Sequence, residues 1–353
     1  MARHFSAAFA LFVTIMNTAA GADRIVFDTD SGPFNDDGSA LVMLLQSGAP
    51  VDAVTIVPGN VWAMQGAEYM LANLKMMHRA DLPLFVGAGA PLLHTPAMAR
   101  AAAKEFGPQS YIGAFARTRP ESRAQLLAPF YGFSGLEPRR ESAVDFIVQT
   151  VESHPGEVTL FAIGPMTNIA MALRLRPEIE TRIKRIVFMG GAVHAPGNTT
   201  KAAEFNFWFD PEAARIVLRS RIPQKIMFAL DICNLAPLTR AMFDRIVAVK
   251  TPVTAIYEED FGRGNFPAFL SKTPAHAFLW DELAAEYLVD PSIVTASRQM
   301  HLDVETRFSA DYGRVVPLDR TLVPDATPID VALEVQRNKV EQIYVDLMTR
   351  PVR

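Results

Sequence analysis

The chain carries a single cysteine, Cys233, in 353 residues, so no disulfide can form within it and its stability must come from a packed core. Beside the apolar run Ile226–Leu230, that thiol reads as a buried structural group rather than a nucleophile. Concentrated positive charge is also missing. With 34 Lys and Arg against 38 Asp and Glu, the formal net charge is −4, which argues against a nucleic-acid partner. No low-complexity linker and no internal repeat divides the sequence, so one domain is expected. The apolar run Ala7–Ile15 is too short to span a bilayer.

That run has a different reading. Arg3 and His4 precede it and Ala20-Gly21-Ala22 follows it, giving the charged, apolar and small-residue regions of a secretory signal peptide over residues 1–22. The remaining residues, 23–353, form the expected mature domain, exported to the periplasm or secreted, with no membrane association after the leader is removed.

Half of the residues are hydrophobic, and they fall into short runs. Arg24–Phe27, Val51–Val57, Leu82–Val86, Val158–Ile163, Arg185–Met189 and Lys225–Leu230 read as strands, and helical patterns such as Gly38–Gln46 and Trp62–Met77 lie between them. Continuous apolar strands alternating with helices predict an α/β fold, a mostly parallel sheet flanked by helices. In such sheets ligands bind beyond the carboxyl ends of the strands. Two stretches interrupt the alternation. Residues 89–135 read as a long irregular excursion and residues 251–280 as helix with loops, both suited to lids or specificity elements.

The first strand runs into Asp28-Thr29-Asp30-Ser31-Gly32-Pro33-Phe34-Asn35-Asp36-Asp37. Four carboxylates this close repel one another unless a cation is bound, and an all-oxygen set suits calcium or magnesium. One Asp could instead cap the following helix. Polar residues follow later strand ends: Gly59-Asn60, Gly164 to Asn168, then Asn198, Glu204-Phe205-Asn206 and Asp210-Pro211-Glu212, with Trp280-Asp281 near the end. Asn and Glu side chains pair with sugar hydroxyls as donors and acceptors.

In this order and placement the motifs resemble the inosine-uridine-preferring nucleoside hydrolase family, from about Arg24 into the C-terminal region. The resemblance implies that family's Rossmann-like fold and hydrolysis of the N-glycosidic bond of ribonucleosides. It implies calcium held by Asp30, Asp37, Asp281 and the backbone carbonyl of Ile163, with Asp36 as the general base acting on the calcium-bound water. Asn60, Asn198, Glu204 and Asn206 become ribose-binding residues, with Asp281 also reaching the sugar, and Asp28 a supporting residue. The loop from Asp30 to Asp36 is two residues longer than the commonest family pattern, and Ser31 stands in place of its proline.

Many members carry His before the last metal-binding Asp. Trp280 at that position resembles the purine-preferring branch, which stacks the base between aromatic rings. That branch has a second Trp in the region of residues 89–115, and here Phe106 or Tyr111 would replace it. His94, His194 and His276 are candidates for protonating the leaving base. The expected partner is a small nucleoside, and a homo-oligomer, dimer or tetramer, is expected. Two other classes stay open on the residues alone: a periplasmic nucleoside-binding protein without turnover, and a haloacid-dehalogenase-type phosphatase built on Asp28-x-Asp30.

Overall fold

The computed structural model describes residues 23–262, 270 and 277–352. The leader and His276 lie outside them. β1 (Arg24–Thr29) is an interior strand, third from one edge, of a nine-stranded sheet. It pairs in parallel with β2 (Val51–Ile56) on one side and β4 (Val158–Ala162) on the other. β3 (Leu84–Val86) extends the sheet beyond β2; β5 (Arg185–Met189) and β6 (Lys225–Phe228) extend it beyond β4. Strand order therefore reverses between β1 and β4. The two diverging connections open a crevice at the carboxyl ends of these strands, the place where such sheets bind ligands.

Alternating side chains of the central strands feed two cores. Phe27, Phe161 and Val187 pack on one face, and Val26, Leu160 and Ile186 on the other. Burial on both faces explains the continuous apolar runs. The helix Asn35–Ser47 starts with Asp36 and Asp37 in its first turn, where the helix dipole favours negative charge. It ends at Gly48, whose φ of 81° is the left-handed turn that stops the helix.

The parallel pattern ends on the far side of the sheet. β9 (Ile329–Val335) is parallel to β6, but β7 (Val294–Val304) is antiparallel to β9, and β8 (Val315–Leu318) is antiparallel to β7. The sixth predicted strand also stops at Phe228, because Leu230–Cys233 is already a short helical turn.

Residues 89–135 are more ordered than the sequence suggests, containing the helix Pro96–Phe106 and two 3-10 turns. The helix Ala63–Met76 pins this excursion with buried polar side chains. Gln65 exchanges two hydrogen bonds with the Leu127 backbone, at 2.9 and 2.7 Å. Glu68 accepts from the Ser134 amide at 2.9 Å and pairs with Arg123 at 3.1 Å. A separate aromatic cluster of Trp62, Phe115, Phe205, Trp208, Phe209 and Tyr312 fastens the excursion over the crevice. No helix among the described residues is long and apolar enough to cross a membrane.

Candidate active site

Asp28 ends in the sheet itself, fully buried. Its Oδ1 accepts from Thr55 Oγ1 at 2.5 Å and from Asn168 Nδ2 at 2.7 Å, and burial pushes the carboxyl up to about 7. It braces the strand end rather than facing the crevice, the supporting place expected for it. Asp30 lies just beyond β1 with Oδ2 accepting from the Asn60 amide at 2.6 Å. Two glycines at neighbouring strand ends make room for it. A Cβ on Gly59 would stand 1.9 Å from Asp30 Oδ2, and one on Gly164 2.8 Å from Oδ1.

Asp36 and Asp37 enter from the first turn of Asn35–Ser47. Asp37 is held on both oxygens: Thr29 Oγ1 donates to Oδ1, while Asn35 Nδ2 and Asn60 Nδ2 donate to Oδ2 at 3.0 and 3.1 Å. Asp281 arrives from the opposite wall, as the first residue of the helix Asp281–Val289. One carboxylate oxygen from each of Asp36, Asp37 and Asp281 lies within 4.8 Å of the other two, close enough to share a metal ion.

Electrostatics supports that use. Burial, then the Asp37 charge, pushes the Asp36 carboxyl up to about 7. Burial, then the Asp36 and Asp37 carboxylates, pushes Asp281 well above the ordinary carboxylate range, and burial and Asp37 do the same to Asp30. The charges acting on Asp281 are of its own sign. A hard divalent cation removes this cost, and an all-oxygen donor set is the chemistry such a cation takes.

Of the predicted sugar-binding residues, Asn60 stands beside Asp30 and Asp37, whereas Asn198, Glu204 and Asn206 gather at the start of one short helix. Glu204 caps the short helix Phe205–Phe209; its Oε1 accepts from the Asn206 amide at 2.8 Å, and its Oε2 from Gly191 at 2.8 Å and Phe207 at 3.1 Å. Asn198 Oδ1 accepts from the Phe205 amide at 2.9 Å. Asn206 Nδ2 donates to the carbonyls of Ile163 at 3.0 Å and Met189 at 3.2 Å. The Ile163 carbonyl thus already accepts one hydrogen bond, with its second lone pair still available.

A cleft of about 620 Å³ joins these walls, within the range of small-molecule pockets. It is lined by Asp30, Asp36, Ile163 and Asp281, by Asn60, Asn198, Glu204 and Asn206, and by Trp280. Asp37 lies behind that lining, in the carboxylate cluster. The cleft is aromatic where it is not acidic: Tyr111, Phe205, Phe261, Phe278 and Trp280 face it. Trp280 Nε1 is buried and has no hydrogen-bond partner among the described residues.

Several lining residues escaped the sequence reading. Asp260 accepts from the Asn35 amide at 2.8 Å across 225 positions, which no local pattern reveals. Glu282 is buried beside Asp281, and burial followed by the Asp36 charge raises its carboxyl strongly. Its acidic neighbour was the available signal. Ser110 and Thr199 complete the rim.

The described histidines do not line the cleft. His94 is buried edge-on among Phe115, Trp208 and Tyr312, and burial lowers it to about 4. His194 is exposed, its amide donating to Asp231. Phe106 packs against Phe308 away from the cleft, whereas Tyr111 lines it. Cys233 is buried, and burial raises its thiol far above the ordinary value.

A carboxylate cluster at the β1–β4 switch point, faced by sugar-type donors and aromatic rings, defines a site for a polar ring carrying a flat one. The sequence profile described as inosine-uridine preferring nucleoside hydrolase matches residues 25–342. A pyrimidine-specific ribonucleoside hydrolase RihA of Salmonella enteritidis is 31% identical over 92% of this chain and 96% of its own. Among solved structures, a plant nucleoside hydrolase, PpNRh1, superposes with a TM-score of 0.76 at 23% identity, covering 93% of this chain and 99% of its own. A purine-preferring ribonucleoside hydrolase from Gardnerella vaginalis does so with a TM-score of 0.75 at 24% identity, covering 93% and 98%. The chain belongs to the inosine-uridine preferring nucleoside hydrolase family. It is an enzyme that hydrolyses the N-glycosidic bond of ribonucleosides, and the binding-protein and phosphatase readings fall away.

Proposed function

We propose that this hydrolase uses calcium at the Asp cluster, takes Asp36 as its general base and prefers purine nucleosides. Asp30, Asp37, Asp281 and the Ile163 carbonyl are the proposed ligands. A divalent cation held there would activate water for attack by lowering its pKa.

The chain's own groups do the rest. Asp36 is in the same carboxylate cluster and would take the proton of the attacking water as general base. The C1′–N bond breaks as water adds at C1′, through an oxocarbenium-like transition state. Asn60, Asn198, Glu204 and Asn206 orient the ribose, which lowers the barrier by fixing the reacting geometry. The departing nitrogen must gain a proton, and the described histidines stand away from the cleft.

Base preference rests on one observation: Trp280 lines the cleft immediately before Asp281, so its ring can present a flat face to the base. Stacking on such a face is worth about 1–3 kcal/mol per base. Tyr111 is the second aromatic wall. The opposite preference has its own support, since the 31% identical Salmonella relative is named as pyrimidine-specific. Release of free ribose from inosine, guanosine, adenosine, uridine and cytidine decides between them. Higher kcat/KM on the purines, and a Trp280→Ala variant weakened more on purines than pyrimidines, is expected. A preference for uridine or cytidine overturns the purine assignment.

The leader over residues 1–22 supports export, proposed here with cleavage before Asp23. A homo-oligomer is likewise proposed.

A further inference from the structure

Asn60 is a junction. Its backbone amide donates to Asp30 Oδ2 at 2.6 Å, its side-chain Nδ2 to Asp37 Oδ2 at 3.1 Å, and its Oδ1 accepts from the Tyr111 hydroxyl at 2.9 Å. The orientation of the amide follows from chemistry. An ionised carboxylate can only accept, so the NH₂ faces Asp37 and the oxygen faces Tyr111, and the phenol is then the donor.

Tyr111 is brought to this point by its backbone. The Ser110 amide donates to the Thr199 carbonyl at 2.8 Å, and the Ala114 amide donates to the Gly59 carbonyl at 2.7 Å. Gly113 between them has a φ of 52°, and a Cβ there would lie 2.2 Å from the Gly59 oxygen, so the turn requires glycine. The Tyr111 ring rests on Phe205 with centroids 4.8 Å apart. The excursion is thus stitched to residue 59, and the hydroxyl reaches residue 60.

We propose that Tyr111 is a positioning residue: its hydroxyl fixes the Asn60 amide, and through it the Asp37 carboxylate, in the geometry in which the acidic cluster takes its cation. This rests on the reading of that cluster as a cation site. A donor on the amide oxygen polarises the amide and strengthens the hydrogen bond its NH₂ gives to the carboxylate. Without the hydroxyl, Asn60 is free to turn about its terminal torsion, and Asp37 Oδ2 keeps Asn35 as its remaining side-chain donor, at 3.0 Å. The role belongs to the hydroxyl and not to the ring, so it is separable from base stacking.

The test is the calcium Kd of the full chain, by competition with a chelating dye in the absence of nucleoside. In Tyr111→Phe, which keeps the ring, binding should weaken roughly three- to tenfold, the worth of one hydrogen bond. Tyr111→Ala should weaken it no further; a larger loss would assign the effect to ring packing and overturn the proposal. An unchanged Kd in Tyr111→Phe overturns it alone, whereas wild-type protein that binds no calcium removes the cation reading beneath it. A raised nucleoside KM with unchanged calcium Kd would place the hydroxyl on the substrate and also overturn it.

Discussion

Gly59 leaves room for Asp30: a Cβ at residue 59 would fall 1.9 Å from Asp30 Oδ2, and the next residue, Asn60, gives that oxygen its amide hydrogen. The second strand end is shaped around a carboxylate of the first. Gly59→Ala must displace Asp30, while the strand, whose core residues are untouched, still pairs. Calcium affinity and ribose release should both fall by at least about tenfold, with far-ultraviolet circular dichroism unchanged. Wild-type calcium affinity in this variant would remove Asp30 from the ligand set.

Asp36→Asn keeps the size of the side chain and removes the base. Turnover at saturating calcium should fall by roughly 10² to 10⁴, and calcium affinity should fall far less than in Asp37→Asn. The carboxylate must be ionised to accept a proton, so wild-type kcat/KM should rise with pH and level off. Burial and Asp37 raise Asp36 to about 7, and a bound cation lowers it again. The acid limb should therefore lie at or below neutrality and vanish in Asp36→Asn. A variant that keeps its rate but loses calcium would exchange the roles of the two adjacent residues.

Lys225 offers a stability test away from the site. It is fully buried at the start of β6, donating to the carbonyls of Leu218 at 2.5 Å and Ser220 at 2.9 Å, and burial lowers it from 10.5 to about 7. Between those two pH values the unfolded chain binds a proton that the native chain has lost. Stability therefore rises as pH rises through that window and is lost as pH falls toward 7. Denaturant unfolding from pH 7 to 10 should show this rise, and Lys225→Met should flatten it. An equal slope in both proteins would contradict the assignment.

How much of this was legible in the sequence follows from where each contact comes from. β1, β2, β4 and β5 are buried on both faces over most of their length, so they read as mainly apolar runs. The first eight residues of β7 are exposed or half-buried, and the strand pairs antiparallel next to the edge strand β8, so its residues carry no such run. The Asp30, Asp36 and Asp37 group was visible because the chain writes it within one loop. Tyr111 was named only as a possible aromatic wall and Asp260 not at all, because their bonds to Asn60 and Asn35 span 51 and 225 positions, through an excursion and a late helix with no motif of their own. His94 shows the converse: a residue type that suggests proton transfer is here packed among three aromatic rings.

The carboxylates of Asp36, Asp37 and Asp281 converge beside a nucleoside-sized cleft, and a cation there is expected to be indispensable to the reaction. Free ribose released from inosine and uridine, measured after exhaustive chelation and again across a calcium titration, tests this most directly. The account predicts no ribose above the uncatalysed background after chelation and full recovery as calcium saturates the site. Undiminished ribose release from the chelated protein would contradict it.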